Sequence, residues 1–198
     1  MRMIYLASRS PRRQELLAQI GLAFEVLDVA VDERILPDEG PERYAQRLAL
    51  EKARAGARTL SAGQTRPVLA ADTCVVIHGR ILGKPEDREQ GVWMLNQLSD
   101  ATHEVYSAVS LGREHFETRL SISRVTFRAL TSDEISAYWA SGEPTDKAGG
   151  YAIQGLGGQF VRWLEGSYSG VMGLPLYETA ELLQRSGIEL LEILACDQ

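Results

Sequence analysis

Ile4-Tyr5-Leu6-Ala7-Ser8-Arg9-Ser10-Pro11-Arg12-Arg13 is the stretch from which the fold is read. Its first four residues are apolar without alternation, the pattern of a strand covered on both faces, as in a sheet flanked by helices. Ser10 stands where a helix N-cap is expected, and Pro11 fills the first helical position, where a missing N–H costs nothing. Leu16, Leu17 and Ile20 then share one helical face, and Gly21 is a natural helix stop. A buried strand, a short loop and an amphipathic helix in that order predict an α/β protein.

The alternation continues outward from this unit. Phe24 to Val31 reads as a second strand, and Pro41 to about Arg58 as a long helix with Tyr44, Leu48 and Ala49 inward and Lys52 one turn further on. Pro67 to Ile77 reads as a central strand with Asp72 in its middle, returning through His78-Gly79 to Ile81-Leu82. Asp87 to Leu98 suits a helix. Thr102 to Leu111 and Glu117 to Leu130 suit long antiparallel strands, half-exposed by their alternation. Thr131-Ser132-Asp133-Glu134 is a capping-box sequence opening a helix that runs to Gly142. Phe160 to Leu164 gives another strand, Pro175 to Ser186 a last helix, and Ile188 to Leu194 a terminal strand. The expected architecture is a mixed, elongated β-sheet flanked by helices, with two lobes and a cleft between them, in a single domain over residues 1–198.

Composition narrows the function. The chain has 198 residues, and its 21 basic and 27 acidic side chains leave a net charge of −6. Such a balance disfavours general nucleic-acid binding, which calls for a basic excess. It leaves room for a small phosphorylated ligand, which needs only local cations. Cys74 and Cys196 form no C-x-x-C pair and fit reduced thiols. The apolar run before Ser8 is too short for a signal peptide, and nothing approaches the ~18 apolar residues of a membrane span. A cytoplasmic protein without membrane partners is the expectation.

Several segments could carry chemistry. Ser8, Ser10, Arg12 and Arg13 surround the start of the first helix, whose free N–H groups and dipole attract an anion. Basic residues oppose the dipole in a first turn, so their presence there suggests a ligand; the competing reading is a solvated basic turn. Asp72 is a carboxylate within an apolar strand, costly unless it is paired, metal-bound or turned to a cleft. Glu33, beside Asp28 and Asp32, could bring a second carboxylate to the same rim, or stay a solvated loop residue. Magnesium or manganese takes oxygen ligands and accepts few from protein when phosphate supplies the rest. Lys52, Lys84 in Gly83-Lys84-Pro85 and Lys147 in Asp146-Lys147-Ala148-Gly149-Gly150 are the other candidate cations. Gly79 to Pro85 is not a Walker A loop, because its spacing is short and Pro85 replaces Ser or Thr. The run from Tyr151 to Gly158 permits close backbone approach to a ligand, where Gln154 could read a base edge, or it is a flexible connector. His78, His103 and His115 lack partner spacing and read as surface or structural.

Leu6-Ala7-Ser8-x-Ser10-Pro11-Arg12-Arg13, Glu51-Lys52-Ala53, Ala71-Asp72-Thr73, Gly83-Lys84-Pro85, Asp146-Lys147-Ala148-Gly149 through Gln154-Gly155, and Gly173-Leu174-Pro175-Leu176 together resemble the Maf family of nucleotide pyrophosphatases, historically called septum formation inhibitors. The segments run in family order over nearly the whole chain. The resemblance implies hydrolysis of a nucleoside triphosphate at its α–β bond, giving the monophosphate and pyrophosphate with a divalent metal, Mg2+ or Mn2+. It implies Asp72 as general base and Arg12, Thr73 and Gln154 as specificity positions. That combination is similar to the subgroup acting on dTTP and UTP, and not to the 7-methyl-GTP subgroup, which replaces the Arg and Gln; modified pyrimidine nucleotides are further candidates. A house-cleaning role, a link to cell-division arrest and a homodimer are implied with it. Under this reading Arg13, Lys52, Lys84 and Lys147 neutralise phosphate charge, Ser8 and Ser10 bind its oxygens, and Glu33 and Asp72 hold the metal. Gly150 and Ala152 depart from the family's usual Ala and Gly around Tyr151.

Two competing readings remain: a purine-directed pyrophosphatase of the inosine triphosphate type, and a division-regulating binding protein with a vestigial pocket. Arg12 with Gln154 argues against the first. The retention of Asp72 and Lys84 argues against the second.

Overall fold

The computed structural model describes residues 3–191. Among them run β1 (Met3–Leu6), α1 (Pro11–Gln19), β2 (Ala23–Val26), α2 (Pro41–Thr59), β3 (Val68–Ile77), β4 (Arg80–Leu82), α3 (Arg88–Leu98), β5 (Thr102–Gly112), β6 (Phe116–Phe127), α4 (Ser132–Ala140), β7 (Val161–Glu165), α5 (Tyr168–Met172) and α6 (Leu176–Arg185). The seven strands form a mixed sheet in the order β2-β1-β3-β5-β6-β7, with β4 paired to β3. β1 runs parallel to both β2 and β3, while β3–β4 and β6–β7 are antiparallel. The expected mixed α/β sheet flanked by helices is therefore the observed one.

The chain divides into two compact units. The first draws on Met1–Asp72, Ser107–Ser121 and Gly173–Gln198, the second on Thr73–Tyr106 and Ile122–Met172. In the first, Tyr5, Ala7, Ala53, Ala57, Val68 and Ala70 close a core, with Leu27 and Val29 packed on it. Small residues at 53, 56 and 57 bring α2 close to the strands. In the second, Val75, Met94, Leu95, Leu98, Val125, Ile135 and Phe160 belong to a larger core. There Phe127, Tyr151, Phe160 and Tyr138 form a chain of edge-on and tilted ring contacts. α4 begins with the predicted capping box: Thr131 accepts from the Glu134 amide, and the Glu134 carboxylate accepts from the Thr131 amide.

Three expectations are corrected. The second strand stops at Val26, because its partner β1 ends at Leu6; the last ladder bond is Leu27 N to Leu6 O at 2.8 Å. β6 ends at Phe127, since the next amide, Arg128, turns to the Phe160 carbonyl at 2.9 Å. No terminal strand begins at Ile188. Gly187, with φ +74°, closes α6 in a Schellman turn, and the Ile188 amide is spent on the Leu183 carbonyl at 2.9 Å. Residues 188–189 are irregular and 190–191 helical, while 192–194 lie outside the described residues. Cys74 is buried, and Cys196 lies outside the described residues.

Candidate functional site

Burial of Asp72 is the physical starting point. Every neighbour of it along β3 from Val68 to Ile77 is buried except Thr73, and Asp72 itself is 6% exposed. An ionised carboxylate in that setting needs a partner. Lys52 supplies it, reaching from α2 to place Nζ 2.7 Å from Asp72 Oδ1. The same ammonium lies 2.6 Å from Glu33 Oε1, so one lysine bridges two carboxylates. Glu33 comes from the irregular segment between β2 and α2, and two side chains of α2 hold that segment down. Tyr44 donates its hydroxyl to the Glu33 carbonyl at 3.0 Å. Arg47 donates to the Arg34 carbonyl at 3.0 Å and grips Glu39 at 2.6 and 2.7 Å, which holds the Glu39 carboxyl below its usual range.

A second anchor lies at the start of α1. Ser8 is buried, and its Oγ accepts from the Ser10 amide at 3.2 Å and from Arg13 Nη1 at 3.3 Å. Arg13 Nε donates to the Gly173 carbonyl at 2.8 Å, which fixes the guanidinium between the first loop and the turn before α6. Burial pulls the Arg13 pKa below its ordinary value; Asp72 and Glu33 push it back up, and Arg12 adds to the lowering. It stays a cation, as arginine does in proteins. Ser10 occupies the N-cap position of α1 without a side-chain capping bond, and no acidic residue stands in the first turn. The first unit thus brings Ser8, Ser10, Arg13, Glu33, Lys52 and Asp72 into one locality, with Arg12 beside Arg13 on the helix.

The second unit places the remaining candidates. Thr73 follows Asp72 on β3 and is half-buried. Lys84 is exposed in the loop after β4, and that loop is tied to the Lys147 turn by a bond from the Gly149 amide to the Gly83 carbonyl at 3.0 Å. Lys147 is half-buried and paired with Asp146. Gln154 is exposed on a turn closed by the Gly155 amide on the Ala152 carbonyl at 3.2 Å. Tyr151, Ala152 and Ile153 before it are buried, so this glycine-rich run is anchored and not a loose connector.

Sequence reasoning missed one contributor. The Gly173 carbonyl, a partner of Arg13, was visible only as part of a motif with no assigned role. Of the histidines read as surface or structural, His103 is structural: it is 1% exposed, with Nε2 2.8 Å from the Tyr151 hydroxyl. Burial lowers its pKa to about 4 and keeps it neutral. No sequence spacing could have paired it with a residue 48 positions away.

For a metal, the available donors are the carboxylates of Glu33 and Asp72. Among the described residues no group of three or more His, Cys, Asp or Glu side chains stands ready as a protein-only cage. Two hard oxygen donors suit magnesium or manganese when phosphate and water complete the shell. They do not suit a structural zinc.

The sequence from residue 3 to 186 matches a family model described as Maf-like protein. A protein of Alkalilimnicola ehrlichii named dTTP/UTP pyrophosphatase is 56% identical over 189 residues, covering 94% of each chain. Proteins of the same name are 51% identical in Pseudoalteromonas atlantica, over 94% of this chain and 98% of that one, and 52% identical in Escherichia coli O157:H7, over 92% of each. A solved nucleoside-triphosphatase / dITP/XTP pyrophosphatase from Mycobacterium abscessus aligns with 92% of this chain and 94% of its own at 18% identity and a TM-score of 0.45, too distant to bear on function.

Proposed function

The chain belongs to the Maf family, and from that premise we propose that it hydrolyses dTTP and UTP to the monophosphate and pyrophosphate. The observation that carries the proposal is the buried Asp72 held by Lys52, with Glu33 on the same ammonium and Arg13 close enough to be influenced by both carboxylates. Relatives sharing half or more of the sequence bear the name of that activity.

Phosphoanhydride hydrolysis needs a positioned water and neutralised phosphate charge. In this reading Asp72 takes a proton from water as the water oxygen bonds to the α-phosphorus. The bond from that phosphorus to the bridging oxygen breaks, and pyrophosphate leaves with the bonding pair. Lys52 orients Asp72 and Glu33 through its two contacts. Arg13 and the Ser8 and Ser10 hydroxyls, with the open N-terminus of α1, receive phosphate oxygens. Lys84 and Lys147 add positive charge, and Arg12, Thr73 and Gln154 select the base. Glu33 and Asp72 would hold a magnesium or manganese ion, which when bound supplies charge neutralisation on the phosphates. Nucleotides are the partner class in this reading, with a cytoplasmic housekeeping role and a pair of identical chains as the working unit.

The test is a panel of nucleoside triphosphates with magnesium or manganese, scored for both products. Monophosphate plus pyrophosphate, with dTTP and UTP preferred, is the expected result. Release of single inorganic phosphate, or a preference for inosine or xanthosine triphosphate, would overturn it. Chelation by EDTA should abolish turnover. Sedimentation of the free protein tests the pairing of chains.

A further inference from the structure

Gln154 is exposed, yet it sits on a turn whose two legs are fastened to one point. On the incoming leg the Ala152 amide donates to the Tyr138 hydroxyl at 3.0 Å. On the outgoing leg the Leu156 amide donates to Glu143 Oε2 at 2.9 Å, and the Gly157 amide to Glu143 Oε1 at 3.0 Å. The two anchors are joined, because Tyr138 donates its proton to Glu143 Oε1 at 2.7 Å. Tyr138 is itself fixed: it is 4% exposed and stands edge-on to Phe160 at 4.9 Å between centroids.

The local sequence is suited to this clamp. A Cβ on Gly155 would come within 2.2 Å of the Glu143 carboxylate, so a side chain there would displace the carboxylate from its present contacts. Burial and the Glu143 carboxylate both hold the Tyr138 hydroxyl protonated, so it donates to Glu143 while accepting from Ala152. Three donors on one carboxylate give charge-assisted bonds of the stronger kind. Glu143 also opens the short helical turn Glu143–Asp146 that leads directly to Lys147.

We propose that Glu143 is a positioning residue for base selection, acting through Tyr138 and the backbone of residues 152–157 to hold the turn that presents Gln154. The proposal rests on the reading of Gln154 as a base-selecting residue, and the experiment separates the two. Three donors of its own unit hold the carboxylate, and its charge also acts on Lys147; a charge effect on phosphate would touch both nucleotides alike, so the selectivity ratio reads the geometry. A turn free to shift by an ångström loses binding that depends on its position, and such misplacements cost up to ~100-fold in catalysed reactions.

The experiment measures kcat and KM for UTP and for 7-methyl-GTP in the full chain, with Glu143→Gln, Glu143→Ala, Tyr138→Phe, Gln154→Ala and the double variant Glu143→Ala/Gln154→Ala. Thermal melts identify any variant that fails to fold. Gln154→Ala should lower the UTP preference, taken as the ratio of kcat/KM values. Glu143→Ala should lower it on the order of tenfold, mainly through a higher KM for UTP, with Glu143→Gln recovering part of the loss. The double variant should be no less selective than Gln154→Ala alone. Tyr138→Phe, which keeps the ring and removes the hydroxyl, should follow Glu143→Ala in direction and serves where that variant does not fold. If Gln154→Ala lowers the preference while the folded Glu143 and Tyr138 variants keep it, the clamp is refuted and the base-selecting role stands. If Gln154→Ala keeps the full preference, that role is refuted and the clamp's function falls with it. A fall in kcat with unchanged KM and unchanged selectivity would also refute the clamp.

Discussion

Replacing Asp72 by Asn removes one charge and almost no volume, so it separates chemistry from packing. Lys52 Nζ lies 2.7 Å from Asp72 Oδ1, and an amide oxygen at the same place still accepts from it. The ammonium also keeps Glu33 at 2.6 Å, so it is not left alone. The stability lost is the difference between an ion pair and an ion–neutral hydrogen bond, on the order of 1 kcal/mol. For a chain near 200 residues that is a fall in Tm of about 2–4 °C. An amide takes no proton from water, so the general-base contribution is lost entirely, a factor of ~100–10,000. At 1.36 kcal/mol per tenfold that is about 3–5 kcal/mol on the barrier. Pyrophosphate release from saturating UTP, with a melting curve on the same sample, reads both quantities. A loss of at least about a hundredfold in kcat with a Tm within a few degrees of the parent is the expected pair. A folded variant that keeps kcat within about tenfold would refute the base assignment. A Tm lower by roughly 10 °C or more would show that Asp72 acts first as a structural residue.

Other perturbations test the same physics from other sides. Lys52→Met leaves Asp72 buried without its ammonium and Glu33 with a like charge nearby; removing one partner of a buried pair costs roughly 3–5 kcal/mol, and the partial exposure here puts the loss at the low end. Melting should therefore show Lys52→Met as the less stable variant beside Asp72→Asn, and the opposite order would contradict the burial argument. Arg13→Lys cannot bond Ser8 and Gly173 together in fork geometry, so KM for UTP should rise by on the order of tenfold; an unchanged KM would remove Arg13 from phosphate binding. His103 titrates at about 4 in the folded chain, pulled down by burial. Its unfolded value is about 6.5, so between those values the unfolded chain holds a proton that the folded chain lacks. Stability from this source is intact above about 6.5 and falls as pH drops toward 4, by about 3 kcal/mol in all. Melts of His103→Phe between pH 7 and pH 5 should show a flatter decline than the parent, and parallel curves would refute it.

Legibility of the fold in the sequence followed how local each cause is. α1, α2, α3 and α4 were readable because caps, apolar spacing and stop residues all lie within the element. The end of β2 was not, because it depends on where β1 runs out, and β1 lies some 20 residues away in the register Met3↔Ala23. Ile188 to Leu191 has strand composition, but the Schellman turn at Gly187 takes the amide that would have opened a ladder. The site divides the same way. Asp72 announced itself as a carboxylate in an apolar strand, and Lys52 by its place on the inner side of a long helix. Glu33 was named beside Asp28 and Asp32, but its sequence context also fitted a solvated loop residue; what holds its segment is the Tyr44 hydroxyl on its carbonyl, a contact no spacing rule encodes. The Tyr138–Glu143 pair was invisible for a related reason: its meaning lies in which backbone amides it captures.

An acidic pair at a site for a polyanion looks like a contradiction, and the charges in the first unit explain it. Glu33 and Asp72 are balanced there by Lys52 and Arg13, so this locality contributes little net field of its own. Affinity for phosphate must then come from directed donors, the guanidinium of Arg13, the hydroxyls of Ser8 and Ser10 and the open amides of α1, and not from a diffuse positive surface. Selectivity follows from the same arrangement. A nucleic acid is drawn by summed charge over many phosphates, which a chain of net charge −6 does not offer. A triphosphate presents one compact cluster of oxygens to donors fixed in place. Burying Asp72 costs stability unless something of opposite charge stays close, and buried ion pairs return little net stability. A chain that keeps such a pair on its central strand holds it for chemistry, because an apolar residue at position 72 would serve the core better.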